Sequence, residues 1–148
     1  MSPKEIISIL PYSEPFLFVD SLSEINENGA AENHTFHKED FFYSGHFKNN
    51  PVTPGVILTE TMAQIGLVCL GIYLFKDKIA AKEYPKIALV SSQVDFFLPV
   101  YPGETVTVVS RKIYFRFGKL KCNVEMKNEK EEIVCKGILS GMITNKLS

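Results

Sequence analysis

One stretch, residues 54–75, constrains the fold of this chain more than any other. Thr53 and Pro54 fit the N-cap and the first position of an α-helix, because Pro54 has no N–H group to leave unpaired there. From Val56 onward, apolar residues occur on every side of the helical projection. This pattern predicts a helix that is buried all round, so the rest of the chain must cover it.

Two polar side chains, Glu60 and Gln64, lie one turn apart on one face of this apolar helix. Burial raises the pKa of a carboxyl group, which can then donate a proton near neutral pH. His46 lies just upstream in a loop that can fold back toward the helix, and imidazole exchanges protons readily near neutrality. His46 and Glu60 are therefore candidates for a base and an acid, and Gln64 for a residue that positions Glu60 or a water molecule.

Strand patterns surround the helix. Before it, residues 16–25 and 30–36 are predicted strands, joined by a hairpin at Asn28-Gly29. After a predicted helix end and loop at 76–83, four more strands are predicted, at 87–97, 104–117, 120–126 and 132–144. His34 and His37 are interpreted as polar strand or surface positions. One long apolar helix with a meander of antiparallel strands indicates an α+β fold whose sheet curls around the helix.

The residues around His46 and Glu60 form an extended motif. It reads Gly45-His46-Phe47, then Pro51-Val52-Thr53-Pro54-Gly55-Val56, then Glu60 and Ala63-Gln64. This motif resembles the signature of the beta-hydroxyacyl-acyl-carrier-protein dehydratases of the FabZ type. Leu10-Pro11 with residues 15–20, and Phe96 with residues 99–104, resemble two further parts of that family. The resemblance thus spans most of the chain.

The resemblance implies a hot-dog fold over a single domain, residues 1–148: a curled antiparallel sheet wrapped around one long central helix. It also implies dehydration of 3-hydroxyacyl thioesters, carried on acyl carrier protein, to trans-2-enoyl thioesters in fatty-acid, polyketide or polyene biosynthesis. No metal or other cofactor is expected besides the phosphopantetheine arm of the carrier.

Roles for individual residues follow from the same resemblance. His46 would be the base and Glu60 the acid. Gly55 and Val56, at the N-terminus of the helix, would stabilise the oxygen of the thioester. The expected walls of the substrate tunnel are Phe41, Phe42, Phe47 and Pro54.

A basic segment follows the helix. Between Thr105 and Val124 there is no acidic residue, and the basic residues there are Arg111, Lys112, Arg116, Lys119 and Lys121. Carrier-protein surfaces are acidic, so this segment is a candidate docking patch. A solvated strand whose charges discourage aggregation explains it equally well.

Assembly is a second expectation. The helix is apolar on more sides than one curled sheet can cover, which predicts a homodimer or a higher even oligomer. In the resembling family, His of one subunit and Glu of the other complete each site. A heterodimer with a homologue is a further possibility.

Composition excludes several classes of function. A net charge of −1 implies neither nucleic acid nor a membrane surface. The apolar run at 65–75 has only 11 residues, whereas a membrane span needs roughly 20. The N-terminus lacks the basic and apolar regions of a signal peptide, and three cysteines without metal-ligand spacing indicate reduced thiols in the cytoplasm.

Two alternatives to a dehydratase stay open at this point. The first is an acyl thioesterase, because thioesterases share the hot-dog fold and a fold alone does not fix function. The second is a non-catalytic subunit that stabilises an active homologue in a heterodimer. The combination of His46 and Glu60 favours elimination of water over both.

Overall fold

A computed structural model describes residues 1–79 and 85–144. The chain begins with helix α1, Pro3–Ser8, whose N-terminus is a capping box. The N–H of Glu5 donates to Ser2 Oγ (3.2 Å), and the N–H of Ser2 donates to Glu5 Oε2 (3.4 Å). Both bonds satisfy N–H groups that have no partner inside the helix.

Six antiparallel strands form one sheet in the order β1-β2-β4-β5-β6-β3. Their bounds are β1 Glu24–Asn26, β2 Gly29–Thr35, β3 Lys86–Phe96, β4 Thr105–Arg116, β5 Lys119–Lys127 and β6 Ile133–Thr144. Among the strands of residues 1–79 and 85–144, β3 lies at one edge of the sheet and pairs only with β6. Together with the helix that it covers, this sheet confirms the α+β hot-dog prediction.

The central helix, Gly55–Leu74, packs against the inner face of the sheet. It is α-helical except for a π-helical segment at Gln64–Val68. A Cβ atom at Gly66 would lie 2.9 Å from Ser110 Cβ and 3.0 Å from Val124 Cγ1, so only glycine lets the helix approach the sheet this closely. The helix has the length and apolarity of a membrane span, but 78% of its most apolar window is buried inside the fold, as in the core helix of a soluble protein.

The start of the central helix differs from the prediction. The helix begins at Gly55, and the carbonyl of Pro54 accepts from the N–H groups of Ile57 (2.9 Å) and Leu58 (3.1 Å). Thr53 does not cap it, because its hydroxyl shares a 2.6 Å hydrogen bond with the hydroxyl of Tyr43. The N-cap prediction for Thr53 is therefore wrong, since a distant partner takes the capping oxygen.

The N-terminal strand predictions also need correction. Of the predicted strand 16–25, only Glu24 and Ile25 lie in a strand of the sheet, β1, which ends one residue later at Asn26. The hairpin turn consists of residues 27 and 28, because Asn26 pairs directly with Gly29. Gly29 is instead required by contact, since its Cβ would lie 2.0 Å from the carbonyl oxygen of Ser110.

The predicted loop at 76–83 lies only partly within the described residues. Lys76–Lys78 form a single 3-10 turn after the helix. Residues 80–84 and 145–148 lie outside the described part of the chain.

Candidate active site

An open groove lies between the first turns of the central helix and strand β3, with a volume of about 610 Å³. It is lined by Gly55, Val56, Thr59, Glu60, Leu89, Ser92, Val94 and Phe96. Three of the predicted site residues, Gly55, Val56 and Glu60, thus lie together in one cavity. Apart from Glu60, its walls are mainly aliphatic or aromatic, which suits an acyl chain.

Glu60 is the ionisable group of this groove. Partial burial raises the pKa of its carboxyl group, and a hydrogen bond from Gln64 opposes that shift. Gln64 Nε2 lies 3.5 Å from Glu60 Oε2, across one helical turn. The environment therefore favours the protonated carboxyl, which is the form that can donate a proton.

Gln64 is fully buried behind Glu60 and connects the helix to the segment at 16–18. Its Oε1 accepts from the N–H of Phe18 (2.8 Å), and its Nε2 donates to the carbonyl of Phe16 (3.1 Å). These bonds replace the sheet pairing that residues 16–18 lack. Gln64 thus fixes that segment and at the same time contacts Glu60, and its role in positioning Glu60 stays a prediction.

His46 lies in a loop closed by two hydrogen bonds to Val52. The N–H of Val52 donates to the carbonyl of His46 (2.9 Å), and His46 Nδ1 lies 2.8 Å from the carbonyl oxygen of Val52. A carbonyl only accepts, so Nδ1 carries the ring proton and Nε2 keeps its lone pair. The ring also stacks on Phe47, with centroids 3.9 Å apart. His46 is thereby fixed in the tautomer that a base at Nε2 needs.

The loop between His46 and the helix is a tight turn. Phe47 and Asn50 exchange backbone hydrogen bonds of 2.9 and 3.1 Å, and Asn49 has φ +56°. Asparagine tolerates this left-handed conformation better than most residues. The N–H of Thr53 then donates to the carbonyl of Val100 (2.8 Å), which ties the loop to the segment before β4.

His46 is not among the residues that line the groove of Glu60. The two sides of the site come from different parts of the chain: Glu60 from the helix beside the edge strand β3, and His46 from the loop attached to Val100. One copy of the chain does not bring the predicted acid and base into one cavity.

Backbone donors complete the helix side of the groove. Gly55 and Val56 are the first residues of the helix, so their N–H groups have no acceptor within it. A Cβ atom at Gly55 would lie 3.3 Å from the ring of Phe96, which shows how closely the helix start packs on β3. Val56 is 77% exposed. An oxyanion placed at this terminus would meet free donors and the positive end of the helix dipole.

Comparison with known proteins identifies the family. A family model described as a FabA-like domain matches residues 10–136. The chain belongs to the FabA-like family. It is 37% identical over 116 residues to the 3-hydroxyacyl-acyl-carrier-protein dehydratase FabZ of Ehrlichia ruminantium (strain Welgevonden), covering 76% of this chain and 77% of the relative. It is 36% identical over 139 residues to the FabZ of Caldicellulosiruptor saccharolyticus, covering 90% and 92%. These matches confirm the resemblance seen in the sequence.

Solved structures agree on the fold of this FabA-like chain. The dehydratase heterocomplex ApeI:P from Xenorhabdus doucetiae has a TM-score of 0.80 at 16% identity, covering 99% of this chain and 93% of that one. A hypothetical thioesterase with coenzyme A from Streptococcus pneumoniae TIGR4 has a TM-score of 0.61 at 13% identity, covering 98% of both chains. At such identities the likeness establishes the fold and leaves the reaction to the site residues.

The four residues predicted to line a tunnel fall into different environments. Phe42 is buried in the core, where its ring contacts those of Phe18, Phe36 and Tyr43. Aromatic packing thus holds Phe42 in the core and away from the groove of Glu60, and its place in a substrate tunnel stays a prediction. Pro54 is buried as well, whereas Phe41 and Phe47 are half exposed. None of the four lines the groove of Glu60.

The predicted docking patch is divided by a β-bulge between Lys112 and Tyr114. Lys112 pairs with the buried Cys122, so it belongs to the inner face of the sheet. Beyond the bulge, Tyr114 pairs with Lys121 and Arg116 with Lys119, on the outer face. Arg111, on the near side of the bulge, pairs with Asn123 on that same outer face. The structure thus groups Arg111, Arg116, Lys119 and Lys121 and excludes Lys112 from the patch.

The sequence did not predict several residues that lie around the site. Thr59, Ser92 and Phe96 line the groove but carry no distinctive sequence signal. Tyr12 is half-buried, and burial together with the nearby Glu60 carboxyl raises the pKa of its phenol. His34 was expected to be an ordinary polar position, but it is 95% buried because its ring packs edge-on against Phe36.

The cysteines carry no chemistry at this site. Burial raises the pKa of both the Cys122 and the Cys135 thiol to about 12, and a buried thiol of this kind is unreactive. Within residues 1–79 and 85–144, no three His, Cys, Asp or Glu side chains are grouped as metal ligands.

Proposed function

We propose that this chain is a 3-hydroxyacyl-acyl-carrier-protein dehydratase. The observation that carries the proposal is that the chain supplies both groups that elimination needs: a carboxyl in an apolar groove, Glu60, whose pKa burial raises, and a loop histidine, His46, whose ring proton is held on Nδ1. An acid and a base in these states are what elimination of water requires. Hydrolysis by a general-base carboxylate would instead need Glu60 in its ionised form, which burial disfavours.

The reaction proceeds by proton transfer at both ends of one bond. His46 Nε2 removes the proton from the carbon next to the thioester carbonyl. The electron pair of that C–H bond forms the C=C double bond as the C–O bond of the 3-hydroxyl breaks. Glu60 gives its proton to the departing oxygen, which leaves as water. The N–H groups of Gly55 and Val56 stabilise the negative charge that develops on the thioester oxygen.

A second copy of the chain completes the site in this proposal. Strand β3 is an edge strand of 11 residues, and Leu89, Val90 and Phe96 along it are about half exposed. A long apolar edge of this kind is suited to pairing with another chain. Because the groove of Glu60 borders β3, a partner across that edge can bring its own His46 to it. The minimum active unit is then a homodimer, or a higher even oligomer.

The substrate reaches this site on the phosphopantetheine arm of acyl carrier protein, with no other cofactor. The outer-face cluster of Arg111, Arg116, Lys119 and Lys121 supports docking of an acidic carrier by charge complementarity. The three cysteines of this chain are free and buried, which suits a reducing compartment. We therefore propose that the enzyme is cytoplasmic.

Purified protein alone, incubated with 3-hydroxyacyl thioesters of carrier protein, tests the reaction. An enoyl thioester supports the dehydratase. Release of free thiol would identify a thioesterase. Absence of turnover, restored by adding a homologous subunit, would identify a non-catalytic partner in a heterodimer.

Mixed mutants test the shared site. His46→Ala and Glu60→Gln proteins should each lose at least ~100-fold in activity, yet a mixture should recover after subunit exchange. Random exchange makes about half of the dimers mixed, and each mixed dimer has one intact site of two, so recovery approaches about a quarter of wild-type activity. A dimer whose subunits exchange without any recovery would place both residues of each site in one chain.

A further inference from the structure

The β4–β5 hairpin ends in an unusual two-residue turn. Arg116 pairs with Lys119, so the turn consists of Phe117 and Gly118 alone, with φ of +52° and +75°. Turns with two positive φ values favour Asn-Gly, Asp-Gly or Gly-Gly. A bulky aromatic residue in the left-handed region is a genuine outlier, because its side chain crowds the backbone there.

Packing does not explain Phe117 either. Its side chain is 96% exposed, the largest exposure among the large hydrophobic residues that the structure describes. Hairpin tips are usually occupied by small or polar residues that cost nothing in water. Phe117 is thus unfavourable for the backbone and also for solvation.

The charges beside the tip are unfavourable as well. Arg116 and Lys119 lie directly opposite each other, and like charges in that position destabilise a strand pair. The ring of Tyr114 lies 4.4 Å from the guanidinium of Arg116 and 5.9 Å from Lys121 Nζ. These cation–π contacts hold two cations close to the tip on one face of the sheet. No acidic residue occurs between Thr105 and Val124 to balance them.

A residue that is unfavourable both for the backbone conformation and for solvation, with no packing inside the fold to offset the cost, indicates a partner outside the fold. We propose that Phe117 is the apolar anchor of the carrier-protein docking surface, inserted into a recess of the carrier whose rim carboxylates meet Arg116, Lys119 and Lys121. This inference rests on the proposed function and deepens it. Aromatic and arginine side chains are the residue types that most often dominate binding energy at protein interfaces.

The shape of the tip favours an acidic protein over a lipid surface. Stable membrane association through protein side chains needs a broad apolar face, such as that of an amphipathic helix. Here a single ring projects from a narrow two-residue turn. One ring encircled by cations matches a small pocket with an acidic rim, and such charges steer an acidic partner into one orientation.

The decisive variant is Phe117→Asn, because Asn-Gly is the dipeptide that this turn prefers. The melting temperature should stay the same or rise, since backbone strain is relieved. The Kd for carrier protein bearing its phosphopantetheine arm, measured by calorimetry, should rise at least ~10-fold. Turnover of a 3-hydroxyacyl pantetheine thioester, which has no carrier to dock, should be unchanged.

Two matched charge-reversal variants complement the Phe117→Asn experiment. Lys119→Glu should weaken carrier binding, whereas Lys130→Glu should not, because Lys130 lies in the exposed turn after β5, away from the tip. Both variants lower the net charge equally, so a general electrostatic effect would weaken binding in both.

Other outcomes would overturn the inference. An unchanged Kd in Phe117→Asn would do so, as would an equal loss on carrier-bound and pantetheine substrates. Flotation with anionic phosphatidylserine vesicles that depends on Phe117, together with an unchanged carrier Kd, would assign the tip to lipid instead. Wild-type protein that binds the carrier through Phe117 but converts no substrate would refute the dehydratase and leave the docking surface standing.

Discussion

Replacing Gln64 with leucine tests whether one buried amide both holds the segment at 16–18 and sets the acid. The two side chains are similar in size, so the substitution opens little cavity. It removes the hydrogen bonds to the N–H of Phe18 (2.8 Å), the carbonyl of Phe16 (3.1 Å) and the carboxyl of Glu60 (3.5 Å).

The magnitude follows from the burial of the partners. Phe18 is 3% exposed, so its N–H loses its acceptor with no access to water; such a loss costs about 1–3 kcal/mol. Phe16 is 41% exposed, so its carbonyl can turn to solvent at little cost. The free energy of unfolding should fall by roughly 2 kcal/mol. In a chain of this size that lowers the melting temperature by about 4–8 °C.

Activity measurements test the second role of Gln64, its effect on the acid Glu60. The hydrogen bond from Gln64 lowers the pKa of Glu60, so its removal should raise that pKa further. The alkaline limb of the pH–rate profile should therefore move to higher pH while kcat falls, because Glu60 loses its orientation.

Thr61→Val is the matched control. Thr61 is fully buried on the same helix, and its hydroxyl donates only to the carbonyl of Ile57 (2.8 Å), which helix bonding also satisfies. Its pH profile should match the wild type. If Gln64→Leu melts like the wild type, or if both variants shift the profile equally, the reasoning about Gln64 is refuted.

Two further predictions concern ionisable groups. Burial raises the pKa of Glu60, so its ionisation lowers the stability of the folded state as the pH rises through that pKa. The Glu60→Gln protein should therefore melt at or above the wild-type temperature at neutral pH. A large drop in melting temperature would show that Glu60 is an ionised, structurally paired carboxylate. Burial lowers the pKa of His34 against the opposing effect of Asp20 and Asp40, with His37 also nearby. The unfolded chain then binds the proton more readily, so wild-type stability should fall as the pH drops below about 6.5. His34→Val should lose less stability over that range in urea titrations, and parallel slopes would contradict this explanation.

The sequence determined those features whose causes are local. The capping box at Ser2 needs only residues three apart, and the apolar periodicity of 54–75 specifies a buried helix whatever covers it. The spacing of His46 and Glu60 within the motif indicates the family without the tertiary structure. A buried helix flanked by alternating segments leaves few arrangements other than a curled sheet around it.

Only the tertiary structure decided features that depend on distant partners. Thr53 had the right chemistry for a cap, but Tyr43 takes its hydroxyl. Residues 16–18 have strand-like composition, yet a side-chain amide from the helix satisfies their backbone.

Partners far along the chain also decide which residues form the basic patch and where the candidate catalytic residues lie. Strict alternation from the buried Val108 and Ser110 would place both Lys112 and Arg116 on the inner face, but the bulge after Lys112 shifts the period by one residue and moves Arg116 to the outer face. The motif brings His46 and Glu60 close in sequence, whereas the fold assigns them to a loop and to an edge groove. Which backbone and side-chain groups remain to be satisfied is set by neighbours far along the chain, and a local pattern cannot specify those neighbours.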